Sequence, residues 1–397
     1  MLKSIKFSNY RIFNSEQVLD LAPITVIFGK NNTGKSALLK LPLLIKSGFN
    51  KDPKELFPRA YKGVQICNDY RDIVYGKALK AATITISDEK NDTLTFRFYV
   101  EPTENASFRP ILEDWLLTSH DGQELHISRQ ENGTLSDNKA REYEFSGFIP
   151  YLDDDLSWAK GTLASLSFET DYLKSIREAP AMDFRLHDKH EFGVGVSGTF
   201  AYDYLVEDLV SGNGELLNKV SSWYEQNFDK WKLSIDQSHA PVYYFEMQND
   251  PIKVNILETG TGIIQSLPVI VSSCLSCGLP LLSSYEEPET HTHPSAHASM
   301  AEFMALEAKS NPLKKMLIET HSLNFILRLR TLIAEKKLSP SDVALYFIEF
   351  KEEKKGSTLT KISIDELGRV SYWPEGMLNE GLSEAIKLRQ AQINNEK

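Results

Sequence analysis

The sequence predicts an α/β fold with a mixed central sheet, antiparallel strands at the N-terminus, and an inserted α+β or helical region. Three observations predict it. Residues 24–28 form a continuous β-branched and aromatic run, typical of a strand buried on both faces, and a glycine-bearing loop and a helix pattern follow it. Residues 81–100 alternate apolar and polar side chains, as a hairpin does. Residues 281–349 alternate strand and helix patterns, as α/β folds do.

The remaining elements follow from local patterns. Two extended segments precede Pro23 and the central strand, and the helix that begins near Lys35 is expected to kink at Pro42. Residues 101–240 are mixed and polar, without the sustained heptads of a long coiled coil. The last third is predicted to hold strands at 281–285, 315–319 and 343–349 and helices near 295–308 and 322–336.

Composition restricts the classes of function. The chain has 397 residues, of which 41% are hydrophobic and 25% charged, so it can form a substantial core and two to three domains. A net charge of −11 argues against non-specific coating of nucleic acid, although a local basic groove stays open. Three cysteines are too few for a disulfide framework and fit a reducing compartment, so a cytoplasmic protein is expected.

One apolar stretch, residues 263–285, has to be distinguished from a membrane span. Gln265, Pro268 and Pro280 interrupt it, whereas a spanning helix needs about 20 predominantly apolar residues. We therefore predict a buried helix, a turn and a buried strand here, and no contact with a membrane.

Residues 29–36, Gly-Lys-Asn-Asn-Thr-Gly-Lys-Ser, match the phosphate-binding pattern G-x-x-x-x-G-K-[ST]. In such loops, backbone N–H groups at the start of the next helix face the phosphates. Lys35 is expected to contact the β- and γ-phosphates of a nucleotide, and Ser36 to ligate Mg²⁺. Gly29 and Gly34 permit a close backbone approach that a Cβ atom would block. The alternative is an ordinary Gly/Asn turn before a helix. The other candidate phosphate-binding residues are Asn31, Asn32 and Thr33.

Two strand ends supply the remaining chemistry. Glu286 and Glu287 follow the apolar strand at 281–285; we expect Glu286 to hold Mg²⁺ and Glu287 to orient or deprotonate the attacking water. The alternative is an acidic loop, which is common on so acidic a chain. His321 lies at the end of the strand at 315–319 and can reach a γ-phosphate, although a lone histidine is more often structural.

The order of these motifs resembles that of the ABC-type ATPases of the RecF, SMC and OLD group. It is most similar to the compact AAA-family ATPases of bacterial defence loci. The resemblance rests on residues 9–13 (NYRIF), 29–36 (GKNNTGKS), 258–271 (ETGTGIIQSLPVIV), 286–294 (EEPETHTHP) and 319–322 (ETHS).

The resemblance implies a role for each matching residue. Residues 29–36 become the Walker A loop, Glu286 and Glu287 the Walker B acid pair, and His321 the switch histidine. Thr261, Gly262 and Gln265 take the place of the signature motif, which in this family closes over ATP held by another subunit. Implied with them are ATP and Mg²⁺ as cofactors and a head-to-tail homodimer or higher oligomer. The implied domains are 1–100 and 241–397 as the two halves of an ATPase head, and 101–240 as an inserted region.

Three departures from the family pattern bear on hydrolysis. Ile264 stands where relatives commonly have serine, so a hydroxyl is missing unless Thr261 replaces it. Ser283 and Ser284 interrupt the usual apolar Walker B strand. Residues 69–76 lie where the Q-loop belongs but contain no glutamine, and Gln65 is the nearest one upstream. We therefore expect a slow ATPase.

The resemblance leads to a hypothesis of an ATP-driven sensor or switch for a separate effector protein, a nuclease or toxin, in anti-phage defence. Only 48 residues follow Glu349 (397 − 349), without a second acidic cluster, so no intrinsic nuclease is expected. DNA as a partner is left open. The alternatives are a non-hydrolysing ATP-bound scaffold that sequesters a partner, and a RecF-like DNA-repair clamp.

Zinc is a further alternative, because Cys274-x2-Cys277 and His293-x3-His297 have near zinc-finger spacing. The predicted buried helix around the cysteines favours buried thiols instead.

Overall fold

A computed structural model describes residues 1–49, 55–77, 80–105, 107–188, 191–375, 377 and 380–395 of the chain. The strands are β1 Leu2–Ser8, β2 Gln17–Asp20, β3 Ile24–Gly29, β4 Ala60–Tyr61, β5 Val64–Gln65, β6 Ala82–Asp88, β7 Thr93–Pro102, β8 Phe108–Thr118, β9 Glu124–Arg129, β10 Leu135–Asp137, β11 Phe145–Ser146, β12 Ile149–Pro150, β13 Glu169–Leu173, β14 Lys232–His239, β15 Val242–Asn249, β16 Ile252–Asn255, β17 Leu281–Glu286, β18 Lys314–Glu319, β19 Val343–Lys351 and β20 Gly356–Ile362. The α-helices are α1 Lys35–Gly48, α2 Ser157–Ser165, α3 Ala201–Val210, α4 Glu215–Asn227, α5 Thr261–Cys274, α6 Pro294–Ser310, α7 Leu323–Ala334 and α8 Glu380–Asn395.

The central sheet has six strands in the order β13-β17-β18-β3-β19-β20. The first five run parallel, and β20 pairs antiparallel with β19. All six residues of β3 are buried, because both faces of the sheet are covered. Ile24, Val26 and Phe28 belong to one core and Ile27 to the other, as the two-residue period of a strand requires.

Different elements cover the two faces of the central sheet. On one face, α1 shares a core with the seven-stranded antiparallel sheet β10-β9-β8-β7-β6-β1-β2. On the other face, helices α3 to α7 form a second core. Hydrogen bonds tie the N-terminal sheet to the edge of the central sheet, for example from the Leu359 amide to Gln17 Oε1 at 2.7 Å.

The predicted fold class, a mixed central sheet with antiparallel N-terminal strands, is confirmed. The three late strands and two late helices lie where the patterns predict them, within a few residues. The apolar stretch at 263–285 forms most of α5, a turn and β17, as expected. Strands β8 to β10 extend the N-terminal sheet across the suggested boundary at residue 100, and the domain division stays a prediction.

None of the helices in the described part of the chain combines the length and the apolar character that crossing a membrane requires.

Candidate functional site

Three parallel strands end at the same edge of the central sheet and bring the predicted motifs together. The phosphate loop follows β3, Glu287 follows β17, and His321 comes two residues after β18. Because β18 lies between β17 and β3, its last residue, Glu319, is flanked by Glu286 on one side and by Ile27 on the other. The strand order therefore places a third carboxylate nearer to the phosphate loop than Glu286.

The two glycines of the loop are required by its surroundings. A Cβ atom on Gly29 would lie 2.3 Å from the Ile348 carbonyl oxygen. Gly34 has a φ of +101°, and a Cβ atom there would lie 2.6 Å from Ile12 Cγ2. Thr33 Oγ1 donates to the Lys30 carbonyl at 2.8 Å and closes the loop. The exposed Asn31 and Asn32 form its outer turn.

Lys35 folds back over the loop. Its ammonium donates to the carbonyls of Gly29 (3.1 Å) and Lys30 (2.9 Å) and lies 3.6 Å from Glu319 Oε1. Burial lowers the pKa of Lys35, and the neighbouring Glu319 carboxylate opposes that shift. Ser36 Oγ donates to Glu319 Oε2 at 3.1 Å. The two side chains predicted to contact phosphate and metal thus share one carboxylate.

Glu319 is the site residue that the motif analysis missed. It is 5% exposed, and burial raises its pKa to about 7, with Lys35 opposing and Glu286 adding to the shift. The available signal was a charged residue directly after the apolar run Met316-Leu317-Ile318. From the sequence alone, nothing distinguished it from a solvated strand end.

Glu287 and His321 complete the site. Glu287 has a φ of +40°, which a non-glycine residue adopts only at a cost of about 1–3 kcal/mol. Its Oε1 lies 3.9 Å from His321 Nε2, and its Oε2 accepts a hydrogen bond from Thr290 Oγ1 at 3.0 Å. Glu287, Glu319 and His321 each offer a ligand atom, and these three atoms lie within 4.8 Å of one another.

Glu286, the predicted metal ligand, lies one strand further from the loop. Its Oε1 accepts a hydrogen bond from the Tyr172 hydroxyl on β13. The desolvated Tyr172 has a raised pKa, so it stays a donor at neutral pH. Direct metal ligation by Glu286 remains a prediction.

A cavity of about 490 Å³ opens between the loop and the strand ends. A second cavity, of about 750 Å³, adjoins it and shares Arg11 and Ile12 with it; Gln65 and Lys40 are among the residues that line this second space. The first cavity is lined by Arg11, Ile12, Asn31, Asn32, Gly34, Lys35, Ser36, Ala37, Glu287, Glu319 and His321.

The signature residues form a separate surface. Within the described residues, the lining of the first cavity does not include Thr261, Gly262 or Gln265. Thr261 is exposed as the first residue of α5, and Ile264 is buried in the second core. The Gln265 side chain is bonded at both ends to the backbone of Arg177 in its own chain.

The cysteine and histidine quartet has other partners. His297 Nδ1 lies 2.9 Å from Ser322 Oγ, and His293 caps α6. Cys277 Sγ contacts the Leu279 carbonyl oxygen at 3.6 Å, and burial raises the pKa of the Cys274 thiol. These contacts give both histidines structural roles at helix starts.

Comparison with known proteins adds a short family match and several similar folds. Residues 338–388 match the family model described as "Protein of unknown function (DUF3696)". No curated protein matches the chain.

Three solved structures with a similar fold are Smc head domains. One is bound to the C-winged helix domain of ScpA (10% identity, TM-score 0.47, covering 92% of this chain and 98% of that one). Another comes from Thermotoga maritima (8%, 0.42, 91% and 99%). A third, from Pyrococcus furiosus, carries an extended coiled coil and is bound to the C-terminal domain of ScpA (10%, 0.48, 98% and 99%).

Proposed function

We propose that this chain is an ABC-type ATPase that binds ATP with Mg²⁺ and hydrolyses it slowly. One observation carries the proposal: Lys35 and Ser36 of the phosphate loop line the same cavity as Glu287, Glu319 and His321. The loop supplies N–H groups and an ammonium for phosphates. Glu287 is the candidate base for the attacking water, and His321 the candidate contact to the γ-phosphate.

The residues fit Mg²⁺, which prefers hard oxygen ligands and is usually held by one or two carboxylates together with substrate phosphates. Ser36 Oγ and Glu319 Oε2 lie 3.1 Å apart and would hold the ion, with Glu286 behind them on the neighbouring strand. When bound, the ion neutralises charge on the β- and γ-phosphate oxygens. In this structure the Lys35 ammonium partly balances the charge of the Glu319 carboxylate, and Ser36 donates a hydrogen bond to it.

The nucleoside would extend from the phosphate cavity into the adjoining space of about 750 Å³. Arg11 and Ile12 line both cavities, so one ligand can span them. Phe350 is 48% exposed and also lines this space, where its ring is available to stack on a base.

Turnover would require a second copy of the chain in a head-to-tail dimer. The N-terminus of α5 carries the exposed Thr261, and a helix N-terminus favours a phosphate. Ile264 is 9% exposed and brings no hydroxyl, which supports slow hydrolysis. The same observation favours the second candidate function, an ATP-bound scaffold with almost no turnover.

The cellular part of the proposal is a cytoplasmic switch that controls a separate effector in anti-phage defence. The motif resemblance supports it, and the family model at residues 338–388 names no activity.

The test is calorimetry of ATP binding to the purified chain, with Mg²⁺ and with EDTA, followed by phosphate release at several protein concentrations. The expected result is Mg²⁺-dependent binding and a turnover per chain that rises with protein concentration. A folded protein that takes up no ATP contradicts the proposal. Binding and dimer formation without turnover, with or without added DNA, favour the scaffold.

A further inference from the structure

Arg177 is a buried arginine whose guanidinium binds only backbone carbonyl oxygens among the hydrogen bonds found in the described residues. It is 3% exposed. Its Nη2 donates to the carbonyls of Glu286 and Glu287, at 3.0 Å each. Its Nη1 donates to the carbonyls of Gln265 (3.2 Å) and Pro288 (3.3 Å). One side chain therefore joins α5 to the turn after β17.

The backbone of Arg177 strengthens this connection. Its N–H donates to Gln265 Oε1 at 2.8 Å, and its carbonyl accepts from Gln265 Nε2 at 2.7 Å. The side chain of each residue thus binds the backbone of the other. Gln265 is on the second turn of α5, four residues after Thr261, so a displacement of this helix end would act directly on Arg177.

The other end of the connection is the strained backbone of Glu287. Three hydrogen bonds hold its φ of +40°: its N–H donates to the Glu319 carbonyl at 2.9 Å, and its own carbonyl accepts from Arg177 Nη2 and from the Thr290 N–H, at 3.0 Å each. This backbone conformation directs the Glu287 carboxylate toward Glu319 and His321. Arg177 is the one of these donors that also contacts α5, and losing it would weaken the hold on the positive φ and let the carboxylate turn away.

The Arg177 guanidinium is a buried charge. Burial lowers the pKa of Arg177 to about 10, so the guanidinium remains charged at neutral pH, and its buried Nε has no hydrogen-bond partner among the residues that the structure describes. The nearby carboxylates of Glu289, Glu287 and Glu286 raise the pKa of Arg177 and so partly oppose the effect of burial. An isolated buried charge is unfavourable, whereas a forked donor can hold several carbonyls in a fixed geometry.

We propose that Arg177 is a positioning residue that couples α5 to Glu287, so that a second copy of the chain docking at the start of α5 adjusts the catalytic carboxylate. The inference rests on the proposed ATPase function. It makes hydrolysis, rather than ATP binding, the step that docking controls.

The test compares Arg177→Lys, Gln265→Met and an Arg328→Lys control with the wild type, in calorimetry of ATP binding and in steady-state turnover. Lysine keeps the charge but cannot bridge four carbonyls. Arg328 pairs with Glu302 on the surface between α6 and α7. For Arg177→Lys we expect an ATP Kd within about twofold of wild type, an unchanged KM and a kcat lower by about tenfold to 100-fold. Gln265→Met should lower kcat in the same direction, and Arg328→Lys should leave it unchanged.

A wild-type kcat in Arg177→Lys overturns the inference while the ATPase proposal stands. If Arg177→Lys does not fold, Gln265→Met decides, because a wild-type kcat there also overturns it. A raised Kd with an unchanged kcat assigns Arg177 to ATP binding and contradicts the coupling. If the wild type itself binds no ATP, the proposed function and this inference fail together.

Discussion

The two ends of the central sheet contain the same chemical arrangement in different settings. Lys35, just beyond the end of β3, and Lys314, at the start of β18, are 4% and 2% exposed. Each ammonium donates to backbone carbonyls. Lys35 binds the oxygens of two loop residues, and Lys314 binds those of Ser272, Ser273 and Leu275 at 2.7–2.9 Å.

The settings differ in what surrounds the ammonium. Lys35 faces a cavity and a carboxylate, and under the proposed function phosphate oxygens would replace its loop carbonyls. Lys314 satisfies the last carbonyls of α5 in the interior, close to a buried network in which Ser272 Oγ donates to Asp171 Oδ2 at 2.7 Å. Burial lowers the pKa of Lys314 to about 8. Under the proposed function, a buried lysine would bind ligand at the open end, whereas the one at the closed end holds the end of α5 in place.

The largest effect is expected from Glu287→Gln at the open end. The amide keeps the shape of the side chain but cannot accept a proton, so turnover should fall by about 10²–10⁴-fold. ATP binding should persist, and size-exclusion chromatography with light scattering should show an ATP-bound dimer. Hydrolysis at the wild-type rate would remove Glu287 from the role of base.

Lys35→Ala should weaken ATP binding by about 100-fold or more, because two charge-assisted contacts of about 1.5–3 kcal/mol each are lost. Calorimetry measures the affinity, and urea unfolding should show a protein that is still folded. Retained ATP affinity would mean that the loop does not hold the phosphates.

Lys314→Met tests the closed end. Three carbonyls lose their donor, so the free energy of unfolding should fall by about 2–4 kcal/mol, while ATP affinity stays within about twofold. Urea unfolding and calorimetry measure the two quantities. A loss of ATP affinity comparable with that of Lys35→Ala would abolish the distinction between the two ends.

The smallest effect is a pH dependence of stability from Glu319. The raised pKa, from 4.5 to about 7, means that the folded state holds this proton more tightly than the unfolded state. The protonated Glu319 therefore contributes its full stabilisation below pH 4.5. As the pH rises through 7 the residue ionises, and the free energy of unfolding falls by about 3 kcal/mol at most. The Glu319→Gln side chain cannot ionise. Its free energy of unfolding, measured with urea in the absence of nucleotide, should therefore rise relative to that of the wild type between pH 4.5 and pH 8. A difference in the free energy of unfolding that does not change with pH would contradict the raised pKa of Glu319.

Sequence patterns predicted the elements that depend on neighbouring residues. The β3 run, the loop at 29–36 and α1 are contiguous, so their geometry is set by residues a few positions apart. The positions of Glu287 and His321 at strand ends followed from the same local patterns. The individual roles of these site residues remain proposals.

What the sequence by itself determined is the set of parts: an α/β chain with a phosphate loop and polar residues at the ends of apolar strands. Only the tertiary structure decided which parts meet. Glu319 lies beside Ser36 because β18 lies between β17 and β3 in the sheet. This spatial order of the strands differs from their order in the sequence. Arg177 meets Gln265 across 88 positions, and Lys314 reaches Ser272 across 42. Such contacts depend on packing over long separations, which periodicity within a short window does not encode.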